Sequence, residues 1–92
     1  MKYFVRYGFN NDSIDITSTI MEKLVKDRYY EIPKLDDVTR GRTYGDPKFG
    51  VEKCIYLTSD EGHLFVIKNS EFAYIDTQDE ILYLNEKPDD IE

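Results

Sequence analysis

Cys54 and His63 are the one thiol and the one imidazole of this chain, nine positions apart, and together they could act as nucleophile and base. A hairpin that set them face to face would let the imidazole take the thiol proton. Catalysis would also need a group to orient the imidazole and a neighbour to stabilise the thiolate, and spacing names neither. A zinc ion would need more ligands than this pair. Cys54, beside Ile55 and Leu57, reads instead as a small hydrophobe in a strand. The acids come as adjacent pairs, Asp36-Asp37, Asp60-Glu61, Asp79-Glu80 and Asp89-Asp90, which is the pattern of solvated turns. No stretch has the alternating acids and glycine of a calcium loop. The expectation is a non-enzymatic protein without metal or cofactor.

Two other groups of residues could bind rather than react. Between Arg40 and Gly50 three basic side chains, Arg40, Arg42 and Lys48, meet Gly41, Gly45 and Gly50. Such a loop could offer guanidinium groups and amides to a phosphate, nucleotide or sugar phosphate. It is no Walker loop, because Val51-Glu52 follows Gly50. A plain turn set by Asp46-Pro47 accounts for the same residues. Aromatics near or on loops, Tyr29, Tyr30, Tyr44 and Phe49, are the candidates for contact with a partner protein, since such side chains commonly anchor interfaces. Tyr3, Phe4, Tyr7, Phe9, Tyr29 and Tyr30 interleave with Arg6 and Arg28 as in a stacking platform for single-stranded nucleic acid, but the chain's charge opposes that use.

The elements that must position these groups are mostly strands. Tyr3, Val5 and Tyr7 alternate with Phe4 and Arg6, which predicts a strand over Lys2–Tyr7 closed by Gly8. Ile14 and Ile16 predict a second short strand. Thr19 and Glu22 have capping-box spacing, so a helix is expected from about Thr19 to Asp27, with Ile16, Ile20 and Leu24 on its inner side. Arg28–Ile32 reads as a strand ended by Pro33. Residues 34–50 read as irregular, with a helical turn around Asp36–Arg40. From Val51 the pattern is an antiparallel meander of Glu52–Thr58, His63–Lys68, Phe72–Asp76 and Ile81–Asn85, joined by turns such as Asp60-Glu61-Gly62 and Asn69-Ser70. The fold expected is therefore α+β, mainly an antiparallel sheet of about six strands with one short helix packed on it.

Composition bounds the rest. Ninety-two residues suit one domain, expected over 1–85, with 86–92 as a flexible acidic tail. Eight Tyr and five Phe without Trp supply the core and its boundary with water. The formal charge of −7 argues against nucleic acid and anionic membrane surfaces as partners. Apolar runs such as Leu64–Ile67 are far short of the ~20 residues that span a bilayer. One cysteine, and a start unlike a signal peptide, lead us to expect a reducing, cytoplasmic setting.

The order of short motifs also resembles a known domain. Tyr7-Gly8, then Asp15-Ile16-Thr17, then Gly45-Asp46-Pro47-x-x-Gly50-Val51 before a strand, is similar to the Tyr-Gly, Asp-Val-Thr, Gly-Asp-Pro-x-Pro-Gly pattern of a small uncharacterised β-rich domain. That domain occurs alone in bacterial and viral proteins and at the C-terminus of a mitochondrial J-domain co-chaperone. The resemblance covers roughly residues 3–57, with Phe49 where the second proline would stand. It implies a β-rich interaction domain without catalysis and carries over no binding residue. The functional expectation is an interaction module, inhibitor-like or host-targeting in the manner of small viral or phage proteins. Its partner would be another protein, and the edges of so small a sheet leave a homodimer open. Binding of a small anion by Arg40, Arg42 and Lys48 is the alternative.

Overall fold

Burial alternates along the first strand: Tyr3, Val5 and Tyr7 are buried while Phe4 and Arg6 face water. The computed structural model describes residues 3–9, 11–45 and 52–91. In chain order these form β1 (Tyr3–Phe9), β2 (Asp12–Asp15), α1 (Thr17–Met21), β3 (Tyr29–Ile32), α2 (Asp37–Tyr44), β4 (Cys54–Ser59), β5 (Leu64–Ile67), β6 (Ala73–Asp76) and β7 (Ile81–Leu84). All strand pairings are antiparallel, in a four-stranded sheet of order β2-β1-β4-β5 and a three-stranded sheet of order β3-β6-β7. The architecture is α+β and mainly antiparallel.

The two sheets share one core. Val5 and Tyr7 of β1, Ile55 and Leu57 of β4 and Ile67 of β5 pack with Ile32 of β3 and Ala73 and Ile75 of β6. All four residues of β6 are buried, as befits the central strand of its sheet. α1 adds Ile20 to this cluster, and Thr17 fixes the helix to β1: its Oγ1 accepts from Val5 N at 2.9 Å. No helix among the described residues is long and apolar enough to cross a membrane.

Three features differ from expectation. The helix expected over Thr19–Asp27 starts earlier and is shorter. The N-cap is Ile16, without a side-chain cap, and the Asp15 carboxylate just before it accepts from Thr17 N at 2.9 Å. The helix ends at Met21, and Lys26 and Asp27, with φ of 57° and 54°, form the left-handed turn that carries Val25 back to bridge Tyr29. The segment after Pro33 holds a true helix, α2, rather than a single turn. Asp36 caps it through Thr39 N at 2.7 Å, and Gly45 ends it at φ 104°, a value that L side chains rarely adopt. The meander breaks after β5: β6 leaves β5 and pairs with β3 instead, so Asn69-Ser70 is a corner between sheets and not a hairpin turn. Beyond Asn85 the chain folds back; Pro88 is buried and Asp90 accepts from the Tyr29 hydroxyl at 3.1 Å.

Gly8 lies between Ser13 and Cys54 in the register of the first sheet. A Cβ there would run into the Asp12 carbonyl oxygen and stand 2.5 Å from the Ser13 Cα, so the obstacle is backbone. Gly8→Ala should therefore cost about 1–3 kcal/mol and push β2 off the sheet. Denaturant melts and loss of amide protection at Ser13 would show it; an unchanged hairpin would contradict this packing.

Candidate functional site

A concavity among the described residues lies where the start of β1 meets α1 and the second sheet. Tyr3 and Phe4 come from β1, Thr17 and Met21 from α1, Tyr30 from β3, Ile75 and Asp76 from β6, and Thr77 and Glu80 from the turn before β7. The cleft has a volume of about 410 Å³ and opens to solvent, within the size range of small-ligand and side-chain pockets. Its floor is built by pairing: Tyr30 sits opposite Ile75 in the β3–β6 register, and Tyr3 is held in β1 opposite Ser59. Phe4 belongs to the other parity of β1 and stays 57% exposed.

One wall is rigidly held. The Asp76 side chain is fully buried and takes both Arg28 Nε (3.0 Å) and Arg28 Nη2 (2.8 Å), plus the amides of Gln78 and Asp79. The Arg28 guanidinium, aided by those two amides against the cost of burial, holds the Asp76 carboxyl down at about 2. Arg28 also reaches Asp79 at 2.9 Å and lies 5.3 Å from the centre of the Tyr29 ring. The other end is acidic. Burial pushes the Tyr3 hydroxyl pKa up, and the negative charges of Asp60, Glu61 and Glu80 push it further.

A second polar cluster sits under α2. Lys53, almost fully buried, donates its Nζ to Asp37 Oδ2 at 3.0 Å and its amide to Asp37 Oδ1 at 3.0 Å, where the Tyr7 hydroxyl also donates. Burial alone would raise the Asp37 carboxyl, but these donors more than offset it and the pKa falls. The cluster ties α2 to β1 and to the chain entering β4. Arg40 lies deeper still, fully buried, with Nη1 directed to Ile67 O and Asn69 Oδ1 and Nη2 to Pro33 O and Glu71 O at 3.1 Å. Its Nε has no partner among the described residues.

These positions sort the residues singled out from the sequence. Tyr30 lines the cleft. Tyr29 is only 2% exposed, covered by the returning Asp90, so it offers no contact surface. Tyr44 is half-buried with its ring 5.5 Å from that of Tyr7, on α2 and away from the cleft lining. Phe49 and Lys48 lie outside the described residues. Arg40 cannot serve a solute anion, because its guanidinium is internal and occupied by carbonyls; of the three basic residues Arg42 alone is described and exposed. Cys54 and His63 occupy opposite ends of the β4–β5 hairpin. His63 O accepts from Ser59 N, five residues along β4 from Cys54, which is roughly 17 Å at strand spacing. Burial pushes the Cys54 thiol pKa up, the reverse of activation. Among the described residues no group of three or more His, Cys, Asp or Glu is placed to hold a metal ion.

Sequence reasoning considers Tyr3 and Phe4 only as part of an aromatic platform for nucleic acid and does not single out Met21 as a site residue or Glu80 beyond an acidic turn. Phe4 carries a usable signal, an aromatic on the water-facing parity of β1; Tyr3, Met21 and Glu80 are brought together only by the packing of distant elements. No family model, no curated protein and no solved structure matches this chain.

Proposed function

We propose that this chain is a non-enzymatic protein-interaction module whose contact site is the cleft bounded by β1, α1 and the β6–β7 turn. The observation that carries this reading is an open, aromatic-walled concavity whose lip is a largely exposed phenylalanine. Water gains nothing from such a surface, and a partner side chain seated in it would remove Phe4, Met21 and Tyr30 from solvent together. The interaction reading also agrees with what the resemblance to a β-rich interaction domain implies.

The test compares two exposed apolar positions. Phe4 is 57% exposed at the cleft and Val38 is 64% exposed on α2, so Phe4→Glu and Val38→Glu should leave the fold equally intact. Phe4→Glu should weaken capture of the partner at least tenfold, the loss typical of an anchoring aromatic, while Val38→Glu should not. Quantitative affinity capture from the source cell checks this. Equal capture by both variants would move the contact site elsewhere.

A further inference from the structure

We propose that two copies of this chain pair through β5, edge to edge and antiparallel, so that their four-stranded sheets join into one. The surface is separate from the cleft and does not depend on it. Among the described residues β5 ends its sheet, with β4 on one side only. Ser59 N donates to His63 O at 2.9 Å, so these two residues form a hydrogen-bonded pair beside the β4–β5 turn. Bonded and non-bonded pairs alternate along an antiparallel ladder. Leu57 with Phe65 and Ile55 with Ile67 therefore bond across the hairpin, whereas Leu64 and Val66 turn their N–H and C=O groups to the open edge. The side chains of the same two residues are the exposed apolar ones of β5, Leu64 at 60% and Val66 at 40%.

The register follows from the groups already in use. Lys68 N donates to Glu71 Oε1 at 3.0 Å and Gly62 N to Ser59 O at 3.0 Å, so this edge presents the groups of Leu64 and Val66. A two-fold axis at Phe65 sets Leu64 opposite Val66 of the second copy, and each such pair exchanges both of its N–H···O bonds. Their side chains then meet on the outer face, beside Thr58 and Tyr56 of β4. Charge favours a second copy as the occupant. The residues of β5 carry none, and the same register brings Lys68 beside Gly62 of the second copy, next to the exposed Asp60 and Glu61. Unlike charges thus flank the junction at both ends, on a chain whose net charge of −7 otherwise opposes self-association. The other end strands differ. β2 carries Asp12 and Asp15, β3 carries Glu31, and β7 paired with itself about Tyr83 would set Glu80 opposite Glu86. A junction this short falls below the ~1,200 Å² of standard interfaces, so the dimer is weak and reversible.

Sedimentation velocity of the whole chain should show monomer giving way to dimer as concentration rises toward about 1 mM. Over the same range, amide exchange followed by NMR should slow at Leu64 and Val66. It should stay constant at Phe65 and Ile67, whose amides already serve β4. Val66→Lys should weaken association about tenfold or more and Lys68→Glu several-fold, while Ile81→Lys, on the similarly exposed β7, should leave it unchanged. A chain that stays monomeric at about 1 mM would overturn the second copy as occupant and leave this edge to a strand of another protein. Self-association with unchanged exchange at Leu64 and Val66, or one insensitive to Val66→Lys, would place the contact on another surface and overturn the proposal as well. The exchange measurement uses the unaltered chain, so it decides even where a variant fails to fold.

Discussion

Arg40→Ala should cost on the order of 4 kcal/mol, whereas Arg42→Ala, two positions along the same helix, should stay within about 0.5 kcal/mol. The contrast follows from where α2 places the two side chains. Arg42 is exposed. Arg40 points inward, and its guanidinium gathers the carbonyls of Pro33, Ile67 and Glu71 and the Asn69 side chain. Those oxygens come from the end of β3 and from the corner linking β5 to β6, so one cation joins α2 to the passage between the sheets. Among the described residues no carboxylate pairs with it. Burial lowers its pKa, but arginine starts so high that the charge persists at neutral pH, balanced by backbone and amide dipoles. Truncation would empty a large buried volume and leave several acceptors without donors, two costs that add. Domains of this size are stable by about 5–14 kcal/mol, so much of the margin would go. Arg40→Lys should recover only part of it, because an ammonium is a compact point charge that cannot span sites arranged for a planar fork. Urea melts of the three variants decide the matter. An Arg40→Ala chain as stable as Arg42→Ala would mean that this cage contributes nothing.

Arg40 also shows what the sequence could and could not disclose. Strand periodicity was legible wherever one face is buried: Tyr3, Val5 and Tyr7 in β1, and Ile55 and Leu57 in β4, alternate as read. α2 was obscured by Gly41, which is costly inside a helix, and by the glycines after it, which together suggest a loop. Once α2 exists, Asp37, Arg40 and Tyr44 fall three and four residues apart on one side, facing Lys53, the β5–β6 corner and Tyr7. The same basic residues that suggest an anion loop are thus divided by helical periodicity into an internal cation and an exposed one. The break between β5 and β6 was hidden for a different reason. Asn69-Ser70 has hairpin chemistry, and local sequence does not reveal that β6 has a better partner in β3, some forty residues earlier. The cleft inherits that non-local pairing, since Tyr30 meets Ile75 and Tyr3 meets the acids of two separate turns.

The same β3–β6 junction sets the second large effect, loss of stability in acid centred on Asp76. Its ordinary pKa of 3.8 falls to about 2 in the folded chain, because the ionised carboxylate holds Arg28 through two bonds and two amides of the following turn. A folded pKa below the unfolded one means that the native state binds this proton less readily. The stabilisation is complete above about pH 4, declines as pH falls from there, and is lost once pH passes below about 2. Asp15, Asp36, Asp37 and Glu71 are all lowered as well, so stability should rise with pH throughout this acid range. Asp76→Asn keeps the shape and removes the titration. It should destabilise the chain markedly at pH 7, far more than Asp79→Asn at the exposed end of the same Arg28 bridge, and it should flatten the stability profile between pH 4 and 2. Because Asp76 walls the cleft, the variant should also loosen Thr77 and Glu80, visible as faster amide exchange in the β6–β7 turn. Thermal melts of both variants across pH 2–7 test the assignment. An Asp76→Asn profile parallel to that of the parent chain would show that some other carboxylate carries the acid sensitivity.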